Sequence, residues 1–337
     1  MNRFEYVRAD SVAEAIRALA APDAQALAGG TNLVDLMKYD VARPARLVDI
    51  NRLPLRTIEE APDGGLRIGA LVSNSELAWD QRITKRYPLL ASAILAGASP
   101  QLRNAATTGG NLLQRTRCYY FYDPSTACNK RDPGSGCSAI EGVNRIHAIL
   151  GASESCIAVH PSDMCVALAA LEAIVHLEGA DGRRTLPFSE FHRLPGDRPQ
   201  NDNTLHAGEL ITAVELPASD FSENYTYLKV RDRLSYAFAL VSVAAALRIE
   251  DGAIAEARLA LGGVAHKPWR DREAEQWLRG KVPDESAFSS CAEAILRDAR
   301  GQGHNDFKIE LARRTIIRAL RQAAAGMPQD QADKVVR

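Results

Sequence analysis

The sequence predicts an α+β chain built in successive parts, and three observations carry that expectation. A strand, a glycine turn, a helix and a second strand follow one another within about the first fifty residues, the makings of a small α/β unit. From Thr57 to Leu216, hairpin-like and alternating strands are interleaved with short capped helices. A polar stretch, Pro217 to Asn224, then separates a last segment of strands and late helices.

Taken in order, Val12, Ala15, Ile16 and Leu19 share one helical face behind Ser11, which is placed to cap it. Ala26-Leu27-Ala28 reads as a short buried strand that stops at Gly29-Gly30. A helix from Leu33 to about Lys38 and a strand at Arg46 to Ile50 complete the first unit. Thr57 to Glu60 and Leu66 to Ala70 flank the turn Asp63-Gly64-Gly65 as a hairpin. Ser73 caps a helix from Asn74 to Trp79, and a second helix runs near Leu89 to Ala96. Further on come a helix from Pro161 to about Leu171, a strand from Ala173 to Glu178 that closes in Gly179-Ala180-Asp181-Gly182, and a strand from Leu210 to Leu216. Beyond the polar link, strands at Tyr225 to Val230 and Ala253 to Leu261 flank Ala237 to Leu247, which reads as an apolar helix. Helices at Ala287 to Arg297 and Phe307 to Ala324 follow, and the polar tail after Met327 is expected to fray.

At 337 residues, with 46% apolar and 25% charged residues, the chain is long enough for two or three domains with proper cores. A net charge of −1 argues against nucleic acid as the main partner. Arg115, Arg117, Lys130, Arg131 and Arg145 form a local basic cluster, evenly balanced between serving a ligand and covering solvated surface. The first residues lack the apolar core of a signal peptide, and no segment approaches the ~20 apolar residues of a membrane span. Synthesis in the cytoplasm with reduced thiols is expected, and periplasmic export as the passenger of a signal-bearing partner stays open.

Two turns carry the first chemistry. Leu27-Ala28-Gly29-Gly30-Thr31-Asn32-Leu33 and Thr107-Thr108-Gly109-Gly110-Asn111-Leu112 each pair two glycines with Thr and Asn. Such glycines let the backbone approach a ligand, and successive N–H groups make a concavity that suits a diphosphate. No Gly-Lys-Ser/Thr follows, so neither turn is a P-loop, and neither fits G-x-G-x-x-G. Between the second turn and residue 157 lie Cys118, Cys128, Cys137 and Cys156, spaced C-x9-C, C-x8-C and C-x18-C in glycine-punctuated, poorly periodic chain. These spacings match neither zinc knuckles nor ferredoxin runs, and leave iron–sulfur, zinc and unligated or disulfide-bonded cysteines all open. Cys165 and Cys291 fall in apolar helical patterns and are expected as core fillers. His147 and His160 read as hydrogen-bonding histidines, and Tyr119-Tyr120-Phe121-Tyr122 as packing. No Ser/His/Asp set, paired carboxylates or HExxH is present.

With His160-Pro161-Ser162-Asp163-Met164, Leu234 to Ala244 and Leu261 to Arg270, the two glycine turns resemble the FAD-binding subunits of the xanthine dehydrogenase/molybdenum hydroxylase family over nearly the whole chain. More narrowly, the chain is similar to medium subunits of bacterial periplasmic-type aldehyde oxidoreductases that carry an extra iron–sulfur cluster. The resemblance implies a two-part FAD-binding domain of the PCMH/vanillyl-alcohol-oxidase-like kind followed by an α+β domain of the CO dehydrogenase flavoprotein type. Its parts would be 1–55 and 56–220, with an iron–sulfur insertion at about 115–157, then 221–327 and a tail at 328–337. It implies that FAD is held by Leu27, Ala28, Gly29, Gly30, Thr31, Asn32, Leu33, Thr108, Gly110 and Asn111. Asp123 and Asp163 would contact it, Ile211 would pack on it, and Lys229 would lie near the isoalloxazine as a cation for the reduced ring. The four clustered cysteines would hold a [4Fe-4S] cluster. The partners implied are a large molybdenum-cofactor subunit and a small [2Fe-2S] subunit in a heterotrimer, with electrons leaving to an external acceptor. A self-contained FAD reductase and a zinc-stabilised nucleotide-binding scaffold are the competing expectations.

Overall fold

The computed structural model describes residues 1–331. Strands β1 (Glu5–Arg8), β2 (Ala24–Leu27) and β3 (Arg46–Asp49) form a parallel sheet in the order β1-β3-β2. The helix Val12–Leu19, with Ser11 accepting from the Glu14 N–H, covers it through Ala15, Ile16 and Leu19. β1 is absent from the sequence expectation because Glu5-Tyr6-Val7-Arg8 is an edge strand with almost no buried residue, so it shows no apolar alternation.

The second sheet contains β4 (Ile58–Glu60), β5 (Leu66–Gly69), β6 (Ile174–Gly179), β7 (Gly182–Pro187) and β8 (Leu210–Leu216) in the antiparallel order β4-β5-β8-β6-β7. β7 also escaped the sequence, being a largely exposed edge. Everything from Ala70 to Ala173 is one long excursion out of this sheet, between β5 and β6. It contains the helices Asn74–Trp79 (with a reciprocal Ser73/Glu76 capping box), Pro88–Ala96 and Thr108–Leu112, then the cysteines, then the wholly buried helix Asp163–Ala170.

The third sheet corrects the sequence expectation. β9 (Tyr225–Val230), β10 (Val241–Glu250) and β11 (Ala253–Gly262) run antiparallel in the order β11-β10-β9, so most of the run expected as a helix at Ala237 to Leu247, from Val241 on, is the central strand. Its alternate residues enter different cores. Ala244 and Ala246 pack with the Pro88–Ala96 and Asp163–Ala170 helices, while Val241, Val243, Ala245 and Leu247 pack against the helices Arg272–Leu278, Glu285–Ile295 and Phe307–Ala324. A strand buried on both faces loses its period-2 signal and looks like any apolar run, and its alanines tipped the reading toward helix. The tail expected to fray at 328–337 is tied down as far as it is described: Gln329 Oε1 accepts from the Lys229 N–H, and Gln331 Nε2 donates to the Tyr227 carbonyl. Residues 332–337 lie outside the described residues.

The first unit meets the excursion at Gly29. A Cβ there would lie 1.8 Å from the Ala105 carbonyl oxygen, so only glycine lets the first turn seat against the chain leading into the second. The obstructing atom is backbone and cannot swing away. Gly29→Ala should therefore cost about 3 kcal/mol of stability, at the top of the overpacking range. Urea denaturation measures this, and a loss under about 0.5 kcal/mol, the size of an ordinary surface change, would show that the seat yields freely.

Candidate functional site: a two-turn cavity beside four cysteines

The two glycine turns open onto one cavity of about 1210 Å³, which is large for a small-molecule site and lies between the parallel sheet, the excursion and the third sheet. Leu27, Ala28, Gly29, Gly30, Thr31, Asn32 and Leu33 line it from one side, and Gly110 and Asn111 from another. Asp163 reaches it from the buried helix of the excursion, Ile211 from the second sheet and Lys229 from the third. Thr108 and Asp123 do not line it. The Thr108 hydroxyl and N–H both donate to the Val72 carbonyl, and the Asp123 carboxylate, at the surface, accepts from the Ser125 N–H and hydroxyl.

The turns are not equivalent, contrary to the expectation of two matching backbone cradles. In the first, Gly30 takes φ +70°, and none of the Gly29, Gly30, Thr31 or Asn32 N–H groups is committed to a protein acceptor among the described residues. In the second, the N–H groups of Thr108, Gly109, Gly110 and Asn111 are spent on Val72 O, Ala70 O, Thr107 Oγ1 and Thr107 O. What this turn offers a ligand is a surface without side chains: a Cβ on Gly110 would meet only Thr107 Oγ1, at 2.9 Å, and otherwise point into open space. The asparagines brace the cavity. Asn32 Oδ1 accepts from the Arg115 N–H at 2.9 Å, and Asn111 Oδ1 accepts from the Ser162 hydroxyl at 2.5 Å.

Lys229 is not a free cation. Its Nζ lies 2.8 Å from Asp163 Oδ2 and donates to the Ala96 carbonyl, while the Tyr227 hydroxyl donates to Asp163 Oδ1 at 2.7 Å and keeps its proton, because burial and then the Asp163 charge raise its pKa. The pair is buried and presents no net charge to the cavity.

The structure brings Cys118, Cys128, Cys137 and Cys156 together around one small internal space that Thr116, Lys130, Ala139 and Ala158 also line. None of the six cysteines is in a disulfide. Cys128 and Cys137 face each other across an isolated antiparallel bridge, and Asn129 Oδ1 accepts from the Gly134 and Gly136 N–H groups to shape the loop between them. Burial pushes the Cys118 thiol up to about 12 and the Cys156 thiol up to about 11. Three buried thiols and a fourth, half-buried one at Cys137, with a hydrogen-bonded loop, are a donor set that fits a metal centre, whose binding would displace their protons. Zinc, at ~2.3 Å from each sulfur, would draw four sulfurs to about 3.8 Å apart. Among the described residues this quartet contains no three ligand atoms all within 4.8 Å of one another. His147 Nε2 lies 3.1 Å from Cys118 Sγ and serves as the hydrogen-bonding histidine expected. Cys165 and Cys291 are fully buried core residues.

One acid that the sequence did not single out ties these parts. Asp202 takes Lys130 Nζ at 2.5 Å and Arg115 Nε at 2.7 Å, with His266 Nε2 at 3.8 Å. Burial works to raise its carboxyl, but the two cations outweigh it and hold it well below the usual carboxylate range. The only sequence signal was the basic cluster, whose Lys130 and Arg115 needed an anion once buried.

The comparisons agree with this geometry. The FAD binding domain in molybdopterin dehydrogenase matches residues 2–219, and the CO dehydrogenase flavoprotein C-terminal domain matches 225–323. The chain is therefore an FAD-binding medium subunit of the xanthine dehydrogenase family, whose relatives are subunits of oxidoreductase complexes. It is 49% identical to the aldehyde oxidoreductase FAD-binding subunit PaoB of Escherichia coli K12, over 96% of this chain and 99% of that one. It is 29% identical to the carbon monoxide dehydrogenase medium chain of Hydrogenophaga pseudoflava, over 96% and 98%. A solved carbon monoxide dehydrogenase from that organism superimposes with a TM-score of 0.76 at 29% identity (96% and 98% covered). Quinoline 2-oxidoreductase from Pseudomonas putida 86 gives 0.74 at 27% (97% and 98% covered).

Two outcomes follow for this site. Gly110→Val should expel FAD, because its side chain would project into the cavity; flavin absorbance of the purified protein at full occupancy would contradict this. Asp202→Asn should cost about 3–5 kcal/mol, since it strands the buried Lys130 ammonium. Urea denaturation alongside a Lys130→Met, Asp202→Asn double variant reads this, and the double variant should be the more stable of the two.

Proposed function

We propose that this chain is the electron-transfer flavoprotein subunit of a molybdenum-cofactor aldehyde oxidoreductase. It would work in a heterotrimer with a large molybdenum-cofactor subunit and a small [2Fe-2S] subunit. The observation that carries this is the dinucleotide-sized cavity with one open N–H cradle, set beside a quartet of converging cysteines. The identity of nearly half to an aldehyde oxidoreductase FAD-binding subunit supports the substrate class, which belongs to another chain of the complex.

Bound FAD supplies the capacity to take up electrons from the partner centres and release them to an external acceptor. This chain's residues supply its environment. The free N–H groups of Gly29 to Asn32 receive the diphosphate, and Gly30 and Gly110 keep side chains out of its way. Ile211 gives an apolar wall. The Lys229–Asp163 pair, fixed by Tyr227 and the Ala96 carbonyl, offers an oriented ammonium without adding net charge.

The four cysteines are assigned to a [4Fe-4S] cluster. Support comes from their convergence on one internal space and the absence of disulfides among them. The decisive experiment is quantification of flavin, iron and acid-labile sulfide, with a visible spectrum, on protein co-purified with its partner subunits. Cys137→Ser should lose iron and sulfide while Gly110→Val keeps them. Zinc without iron in the unsubstituted protein would overturn the cluster and leave the flavin assignment standing.

A further inference from the structure

The segment joining the second turn to the cysteines is a wall with two faces. Thr116, Cys118, Tyr120 and Phe121 line the cysteine space, and Arg117, Tyr119 and Tyr122 line the large cavity. Arg117 is thereby held between the two sites, on the side of the first turn: Tyr122, its neighbour in this wall, accepts from Asn32 Nδ2 at 3.4 Å.

The charges on the cavity wall leave Arg117 without a partner acid. Lys229 is paired with Asp163, Arg115 with Asp202, and Asp232 with Arg145. Arg117 has no carboxylate within 4.0 Å among the described residues. Its guanidinium donates to the Arg115 carbonyl and Gln114 Oε1, stacks 5.1 Å from the Phe238 ring centroid, and feels Asp35 only at longer range. Two further arginines on the wall also have no carboxylate within 4.0 Å among the described residues, but neither lies in the segment that joins the two sites. Arg103 is turned to the Gly97 carbonyl, and Arg233 is exposed and bonded to the Tyr236 carbonyl. A guanidinium keeps its charge at any physiological pH, and leaving one in a cavity without a counter-ion costs desolvation that an anionic ligand would offset.

We infer that Arg117 is the counter-charge for the cofactor's diphosphate. It would complete on one side the anion site that the free N–H groups of Gly29 to Asn32 begin on the other, and select FAD over flavins without phosphate. The inference rests on the flavoprotein reading above and makes Arg117 a binding residue contributed by the cysteine-bearing insertion rather than by either glycine turn.

The test uses the complex co-purified with its partners, stripped of flavin and titrated with FAD and with riboflavin at low and high salt. Arg117→Gln should weaken FAD by about tenfold or more, the scale of one lost charge-assisted hydrogen bond, and flatten the salt dependence of FAD binding. Riboflavin affinity should move by less than about twofold, because that ligand carries no phosphate. Arg117→Lys should recover most of the FAD affinity, and iron content equal to the unsubstituted complex confirms that the neighbouring Cys118 is undisturbed. Unchanged FAD affinity in Arg117→Gln, or equal weakening of both flavins in both variants, would overturn the assignment. An unsubstituted complex that took up neither flavin would instead remove the flavoprotein reading, and this inference with it.

Discussion

The arrangement depends on a contact that contains no side chain. Gly29 lies against the Ala105 carbonyl so closely that any Cβ would collide with it, and this is what sets a turn from the parallel sheet beside a turn from the long excursion. The excursion is attached to its own sheet by β5 and β6, so its far end needs an anchor. Asn32 supplies it by accepting the Arg115 N–H one residue past Gln114, fixing the wall that leads to Cys118. The cavity is therefore shaped mainly by backbone packing and by asparagine brackets, and the ligand meets surfaces already in place.

Electrostatics lock what the packing sets. Asp202 lies in a loop before β8, Lys130 in the cysteine loop and Arg115 in the wall, so a single carboxylate ties that loop to two parts of the excursion with which it shares no sheet. Buried ion pairs add little net stability relative to apolar packing, because desolvation consumes most of the attraction. What such a pair does is penalise every arrangement in which one partner is left alone. Here that penalty falls on any displacement of the cysteine loop from the cavity wall.

Much of this was legible in the sequence, where local chemistry dictates local structure. The Ser73 capping box, the hairpin around Gly64 and the helix Phe307–Ala324 follow from caps, turns and periodicity. β10 was not legible, because a strand buried on both faces has no period to read, and the edge strands β1 and β7 were lost for the opposite reason, having too few apolar residues. At the site, Gly-Gly-Thr-Asn and Gly-Gly-Asn look alike as strings, yet the first precedes its helix with N–H groups free, while those of the second are taken by the Val72 and Ala70 carbonyls and by Thr107, which caps the helix. That difference is set by where each turn sits relative to Val72 and Ala70, which no local pattern encodes. Asp202, among Gln200, Asn201 and Asn203, looked like any polar loop residue.

The Lys229–Asp163 pair shows how far pairing can change the meaning of a residue. Sixty-six positions separate them in sequence, and Lys229 alone reads as a cation able to draw negative charge onto a reduced ring. Paired, it contributes a dipole whose direction is fixed by three further groups, Tyr227, Ser242 and the Ala96 carbonyl. A dipole of that kind orients a polar ligand edge without lowering the energy of a full charge by much, since the carboxylate 2.8 Å behind the ammonium cancels most of its field. The cavity-wall charge without a carboxylate partner among the described residues lies instead with Arg103 and Arg117 of the excursion and Arg233 of the loop between β9 and β10. The wall thus divides the work between a region that fixes orientation and a region that balances charge, which suits a ligand with a neutral planar end and an anionic middle.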